Sequence, residues 1–309
     1  MTGLHKGDER CQYVGRCCAG RPGRIAAVPV SLCPVFFRFP FGTPLMIKKL
    51  ARRLTAVAVL SLAAAGVHAE TLSVAATPVP HAELLDFVKP KLKAEGIDLK
   101  VRVFNDYVQP IQATVDKAVD ANFFLHKPYL DSFNKEHHTD IVLVPDAAVH
   151  VEPFGLYSRK VKNLADVKNG ATVVLPNDPS NGGRALLLLQ KAGLIKLKNP
   201  DNILSTSRDL AENPKKLRFR ELDAAFLPRA LDDADLALIN TNYALAAGLQ
   251  PNKDALVLEG ADSPYANIVT ARPDNAKSPA IAKLMKALRS DDVKKFIEEK
   301  YKGAIVPAF

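Results

Sequence analysis

The sequence predicts an α/β fold with mostly parallel sheets flanked by helices, and three observations carry the prediction. From Glu70 to the C-terminus, strand-like and helix-like segments alternate. Several strand-like segments are continuous apolar runs, as expected of strands covered on both faces. Residues 70–309 accommodate two such sheets and are enough to bury a large core.

Strands are expected at aliphatic, β-branched or aromatic runs bounded by Gly, Pro, Asn or Asp. Helices are expected where apolar residues recur at spacings of three and four. The order begins with a strand at 72–76, a helix at 81–95, a strand at 99–104 and a helix at 111–119. A strand at 121–124, a helix at 129–137 and a strand at 141–145 follow. Next come a strand at 171–175, a helix at 183–192, a strand at 217–222, a helix at 224–232 and a strand at 236–240. The C-terminal part holds a helix at 243–247, strands at 255–258 and 266–271, and helices at 279–288 and 291–301. Gly193 suits the position after a helix end. Asp291 and Asp292 open the last helix and Lys300 and Lys302 close it, in accord with its dipole. The chain is expected to cross between sheets near 152–160 and to return near 263–271. Residues 70–156 with 265–309 then form one lobe, and 157–264 the other.

The segment before Glu70 has a different character. Lys48, Lys49, Arg52 and Arg53 follow Met46, an apolar run covers 54–66, and Val67-His68-Ala69 closes it. A basic region, an apolar stretch and a small-x-Ala ending make a secretory signal peptide over 46–69. Residues 1–45 are rich in Arg, Pro, Gly and Cys without periodicity. They read as upstream sequence from a start assigned too early, or as a disordered leader.

The first 69 residues carry ten Lys/Arg and two Asp/Glu, leaving 32 basic and 31 acidic residues in 70–309. Of the formal charge of +9, +8 therefore lies in the first 69 residues and +1 in 70–309, which gives no support to nucleic-acid binding. All four cysteines (Cys11, Cys17, Cys18, Cys33) precede Met46, so neither a disulfide nor thiol chemistry is expected in 70–309.

Five segments carry candidate chemistry, each where a strand runs into a helix or loop. In an open α/β sheet, ligands sit beyond the carboxyl ends of strands. Phe104-Asn105-Asp106-Tyr107 places Tyr107 at such an end, although an ordinary turn explains the Asn and Asp equally. Phe124 and His126 alternate onto one strand face and Tyr129 follows, forming an aromatic wall for an apolar or thioether tail. His126 also reads as a hydrogen-bonded structural histidine. Asn177–Arg184 leads into an apolar helix whose start presents free N–H groups. Arg184 in the first turn opposes the dipole, and a bound carboxylate explains it, as does pairing with a surface acid. Gly182 and Gly183 are expected to let a ligand approach the backbone. Ile239–Tyr243 and Ser263–Ile268 place Asn242 and Asn267 at strand ends, amides suited to a zwitterion, while capping or turn roles account for such residues as well.

No Gly-x-Ser-x-Gly and no His-Glu-x-x-His occurs, and nothing pairs a nucleophile with a base. No catalytic residue, metal or cofactor is expected. His137-His138 lacks an obvious third ligand.

The stretches FNDYVQP (104–110), HKPYLDSFN (126–134), NDPSNGGRALLLLQKAGLIKL (177–197), LPRALDD (227–233), INTNYAL (239–245), LEGADSPYANI (258–268) and SDDVKKFIEEKYKGAIVPAF (290–309) are specific together. Through them the chain resembles the MetQ/NlpA family, the methionine-binding proteins of bacterial ABC importers. The resemblance implies a two-lobed periplasmic-binding-protein (type II) fold closing over one amino acid, no enzymatic activity, and a monomer that meets a membrane permease and its ATPase. It implies a side-chain pocket of Tyr107, Phe124, His126 and Tyr129. Arg184 is implied to clamp the carboxylate, with Asn181, Asn242 and Asn267 at the α-amino and carboxylate groups. L-methionine is the implied ligand, with D-methionine, a methionyl dipeptide or another small amino acid as alternatives. Many members have a cysteine at the cleavage site. None lies between Gly66 and Glu70, so a protein free in the periplasm without a lipid anchor is expected.

Overall fold

The structure is a computed structural model that describes residues 69–260 and 263–309. The expected leader (1–45) and nearly all of the expected signal peptide (46–69) lie outside the described residues.

In chain order the first elements are β1 (Glu70–Ala76), α1 (Glu83–Ala94), β2 (Ile97–Val103), α2 (Val108–Val115), β3 (Ala121–His126), α3 (Lys127–His137) and β4 (Val142–Val151). Then come β5 (Gly155–Tyr157), β6 (Thr172–Pro176), α4 (Pro179–Lys191), β7 (Lys196–Leu197), β8 (Leu210–Glu212), β9 (Arg218–Leu222), α5 (Leu227–Ala230) and β10 (Leu236–Ile239). The chain ends with α6 (Thr241–Ala246), α7 (Pro251–Asp254), β11 (Ala255–Leu258), β12 (Ala266–Ala271), α8 (Pro279–Leu288), α9 (Asp291–Tyr301) and β13 (Val306–Pro307).

Two large sheets result. The first has six strands in the order β13-β4-β12-β3-β1-β2, and the second five in the order β11-β5-β10-β6-β9. The fold is the expected two-lobed α/β architecture, with mixed strand pairing. β1 runs parallel to β2 and β3, and β6 parallel to β9 and β10. β12 is antiparallel to β3 and β4, β13 to β4, and β5 to β10 and β11. The cause is the path between sheets. A strand that arrives from the other sheet enters at the end where the preceding strand left, so it runs against its neighbours. β5 and β12 are those strands. Gly155 and Leu156, expected in the first lobe, pair with Ile239 and Leu238 in the second sheet.

Both sheets are covered on two faces. Val173, Leu175, Leu236 and Leu238 pack on one side with Leu186 and Leu189 of α4. The alternating Val174, Ala237 and Ile239 pack on the other with Leu227, Leu231 and Tyr243. In the first lobe Leu72, Val74, Leu84, Leu99, Phe123 and Leu284 belong to one buried cluster.

Departures from the expected elements have local causes. α4 starts at Pro179 rather than Gly183, because Asp178 caps it and Pro179 supplies a preset φ at its first position. β4 continues past Pro145 through a bulge, in which pairing with β12 jumps from Leu143 to Ala148 and Asp146 adopts φ 54°. β5, β7, β8 and β13 are three residues or fewer, too short for a periodic signal.

Candidate functional site

The carboxyl ends of the strands in the two sheets meet around a small, tightly closed pocket. Tyr107, Phe124, His126, Tyr129, Asn181, Arg184, Asn242 and Asn267, named from the sequence, all line it. So do Leu125, Glu152, Asn240 and Thr241, which were not named.

The wall from the first lobe is aromatic. Phe124 and His126 lie on one face of β3, Tyr107 immediately precedes α2, and Tyr129 sits in the first turn of α3. The Tyr107 ring lies 5.8 Å from both Phe124 and Tyr129, and Phe124 lies 6.1 Å from Tyr129, measured between centroids. Such offset and edge contacts make a rigid apolar surface. Burial raises the Tyr107 phenol well above its ordinary value, so it stays a donor, and it gives a 2.6 Å hydrogen bond to Asn242 Oδ1.

His126 combines both roles that its sequence context left open. Its Nδ1 caps α3 by accepting from the Tyr129 N–H at 3.3 Å, which leaves Nε2 to donate to Asn181 Oδ1 at 3.1 Å. Burial, reinforced by the Arg184 charge, lowers its pKa to about 3, so the ring is neutral.

On the facing side, Asp178 accepts from the Asn181 N–H at 2.9 Å and from Asn181 Nδ2 at 2.9 and 3.1 Å. Asn181 Oδ1 accepts from Asn240 Nδ2 at 2.9 Å as well as from His126. The Asn181 amide is thus largely committed to protein partners, and it holds His126 and Asn240 in place.

Arg184 departs from its expected setting. It lies in the second turn of α4, so conflict with the helix dipole does not explain it. It is buried, and its charge is met by Glu259. Nε donates to the two Glu259 oxygens at 3.2 and 3.1 Å, and Nη2 donates to Glu259 and, at 2.8 Å, to the Glu152 carbonyl. The guanidinium carbon sits 4.2 Å from the Tyr265 ring centroid and 5.1 Å from that of Phe154. Nη1 has no hydrogen-bond partner among the described residues, which leaves a charged donor on a residue that lines the cavity.

The glycines before Arg184 serve the fold rather than ligand approach. A Cβ on Gly183 would lie 2.1 Å from the Ile203 carbonyl oxygen, and one on Gly182 would lie 3.1 Å from the Pro176 carbonyl oxygen. Gly183 therefore lets the 203–204 backbone pack directly on α4.

Beneath the cavity is a polar cluster that the sequence did not reveal. Glu152 Oε1 accepts from His150 Nε2 at 2.9 Å and lies 3.3 Å from His81 Nε2, and Oε2 accepts from the Asn242 N–H at 2.9 Å. His81 Nε2 also bonds Asn267 Oδ1 at 3.0 Å, and Nδ1 bonds the Thr77 hydroxyl at 2.8 Å. The pairing of Asn267 in β12 with His126 and His150 sets this proximity. Burial lowers His81 to about 4 and His150 to about 3, so both rings are neutral, and it raises Glu152 against the pull of His81 and Arg184. One donor atom from each of His81, His150 and Glu152 falls within 4.8 Å of the others, the single such cluster among the described residues. Those atoms are engaged with one another and with Asn267. The one sequence signal for Glu152 is a lone carboxylate inside the apolar run 147–157.

Comparison with known proteins places this geometry in context. The sequence profile of the NlpA lipoprotein family matches residues 72–309. A methionine-binding lipoprotein MetQ from Bacillus subtilis (strain 168) is 44% identical over 238 residues, covering 76% of this chain and 86% of that protein. The structure is similar to that of a nutrient binding protein from Burkholderia cenocepacia bound to methionine, at 48% identity and TM-score 0.74, covering 77% of this chain and all of that one. It is also similar to a periplasmic substrate-binding protein of an ABC transporter from Coxiella burnetii, at 43% identity and TM-score 0.73, covering 77% of this chain and all of that one. The expectation of a protein without a lipid anchor is overturned. The matching family is a lipoprotein family and the relatives are named lipoproteins, which supports lipid-anchored membrane association. That expectation rested on the lack of one cysteine in a short window at the edge of the described residues, and it set aside the four cysteines before Met46.

Proposed function

The chain belongs to the NlpA lipoprotein family, and from that premise we propose that it is the methionine-binding component of an ABC importer, with L-methionine as its ligand. The observation that carries this reading is the cavity itself, an aromatic wall facing a buried guanidinium with one nitrogen unpartnered among the described residues. A thioether packs well against aromatic rings. Tyr107, Phe124, His126 and Tyr129 therefore receive the side chain, and Arg184 receives the carboxylate through Nη1. Asn242 and Asn267 address the α-substituents, and Asn181 orients His126 and Asn240 from behind.

The ligand lies between lobe 1 (70–156 with 265–309) and lobe 2 (157–264). The strand pairing favours a first crossing slightly earlier, between Val151 and Gly155. Binding and release require the lobes to part about these crossings, a hinge motion. The protein acts as a monomer that presents its closed form to a membrane permease with its ATPase.

D-methionine is the second reading, favoured by relatives named D-methionine-binding lipoproteins. A thermal-shift panel on protein unfolded and refolded to remove ligand separates the two, because a ligand that binds only the native state raises Tm with its affinity. L-methionine is expected to give the largest shift, above D-methionine, glycyl-methionine and other amino acids. A larger shift with any of these reassigns the ligand.

A further inference from the structure

A guanidinium carries five N–H donors in one plane. In Arg184, Nε donates to Glu259 Oε1 and Oε2 at 3.2 and 3.1 Å, and Nη2 donates to Glu259 Oε2 and, at 2.8 Å, to the Glu152 carbonyl. That edge is fully used, and the two N–H groups of Nη1 are the ones left for a ligand. We infer that Glu259 is a positioning residue for ligand binding, which grips the guanidinium by one edge and so aims Nη1 at the ligand's carboxylate. The inference rests on the reading of Arg184 as the carboxylate's partner, and it extends that reading to a residue outside the pocket lining.

Glu259 is itself held where the chain passes between the sheets. Those passages follow β4 and β11; Phe154 lies on the first and Glu259 on the second. The pairing of Leu258 with Gly155 continues for one more residue. The Glu259 N–H donates to the Phe154 carbonyl at 2.9 Å, and the Phe154 N–H donates to Glu259 Oε2 at 3.2 Å. The carboxylate is therefore tied to the backbone of one passage while its own backbone belongs to the other. It cannot follow a turning guanidinium. Each passage also sets a ring beside Arg184, Phe154 from the first and Tyr265 from the second. The orientation of Arg184, which comes from α4, is thus dictated by both segments that link the lobes.

Charge compensation alone makes the opposite prediction. A carboxylate that only neutralised Arg184 would compete with the ligand's carboxylate, and its removal would leave a buried cation that holds the ligand more tightly. Removal of a positioning carboxylate weakens the ligand instead. A Gln at 259 keeps one acceptor but sets an NH2 group against the N–H groups of the guanidinium, so the planar fork turns and Nη1 loses its aim. A ligand with a carboxylate then suffers, whereas one of similar shape without a carboxylate does not.

The test is calorimetric titration of L-methionine and of L-methioninol, in which CH2OH replaces the carboxylate, into the wild type and the Glu259→Gln, Glu259→Asp, Arg184→Ala and Arg184→Ala/Glu259→Gln variants. Glu259→Gln is expected to weaken L-methionine about tenfold, the scale of one hydrogen bond to a charged group, and L-methioninol by less than about twofold. Glu259→Asp keeps the charge but draws it back by one methylene, and it is expected to lose the preference for L-methionine in the same way. In the Arg184→Ala background the Gln substitution is expected to add nothing, because Glu259 acts through Arg184. Tighter or unchanged binding of L-methionine by Glu259→Gln overturns the inference. Equal weakening of both ligands also overturns it and marks a structural role. Should Glu259→Gln fail to fold, Glu259→Asp decides, and a wild-type preference in that variant overturns the inference. A wild type that binds L-methioninol as tightly as L-methionine is a different result, because it removes the carboxylate reading of Arg184 and the inference with it.

Discussion

The Tyr107 hydroxyl donates a 2.6 Å hydrogen bond to Asn242 Oδ1, joining the end of a first-sheet strand loop to the start of α6 beyond the second sheet. Asn242 in turn donates its backbone N–H to Glu152, and Tyr243, the next residue, donates its hydroxyl to the Asn105 carbonyl at 3.1 Å. The Tyr107 ring also lies 5.0 Å from the Tyr243 ring. The same tyrosine is therefore part of the aromatic wall and part of the bridge that closes the cavity.

Tyr107→Phe keeps the ring and removes the bridge. A net hydrogen bond contributes about 1 kcal/mol, so L-methionine affinity is expected to fall about fivefold. The loss should appear in the dissociation rate, because the bridge forms as the lobes meet. Stopped-flow dissociation checks this, and an unchanged rate contradicts a bridging role.

Arg184→Ala removes the partner of a buried ligand carboxylate and strands Glu259. Affinity is expected to fall by roughly 2–5 kcal/mol. Arg184→Lys should recover little, since one ammonium cannot serve Glu259, the Glu152 carbonyl and a ligand with the geometry of a planar fork. Titration of L-methionine into both variants checks this, and wild-type affinity in Arg184→Ala contradicts the clamp.

Gly183→Ala and Gly182→Ala differ by one position and should differ sharply in effect. The first forces a methyl to within 2.1 Å of the Ile203 backbone, the second to within 3.1 Å of Pro176. Gly183→Ala is expected to cost about 1–3 kcal/mol, as overpacking does, and Gly182→Ala less. Urea denaturation without ligand reads the difference. Equal costs contradict the role given to close packing at Gly183.

Much of the cavity was legible because its residues sit where strands run into loops or helices, and local pattern locates those points. Tyr107, Phe124, His126 and Tyr129 came from that pattern. The pairings did not, because their partners are distant in sequence. Arg184 and Glu259 are 75 residues apart and Glu152 and Asn242 are 90 apart, separations at which a single sequence carries no signal of contact. The start of α4 was misplaced for the opposite reason. Asp178-Pro179 is a good capping signal, but two glycines just after it read as loop. Antiparallel pairing of β5 and β12 follows from the route of the chain between sheets, which residue periodicity does not encode.

His81 offers a test through pH. Its pKa falls from 6.5 to about 4 in the folded protein. The unfolded chain then binds the extra proton as pH drops through 6.5, so His81 contributes a loss of stability between about 6.5 and 4. Glu152 and Asp178, both raised by burial, act in the opposite sense, so the wild-type slope alone is ambiguous. Comparison with His81→Gln removes the histidine's own contribution together with its pull on Glu152. The stability cost of that substitution is expected to shrink as pH falls from 7 to about 4.5. A cost independent of pH contradicts a buried, neutral His81.

Isothermal titration of L-methionine into the refolded, ligand-free protein tests the central claim most directly. One site per chain, saturable binding, and weaker binding of D-methionine and of amino acids without an apolar side chain are expected. Absence of binding by L-methionine, with clear saturable binding by another small molecule, would contradict it.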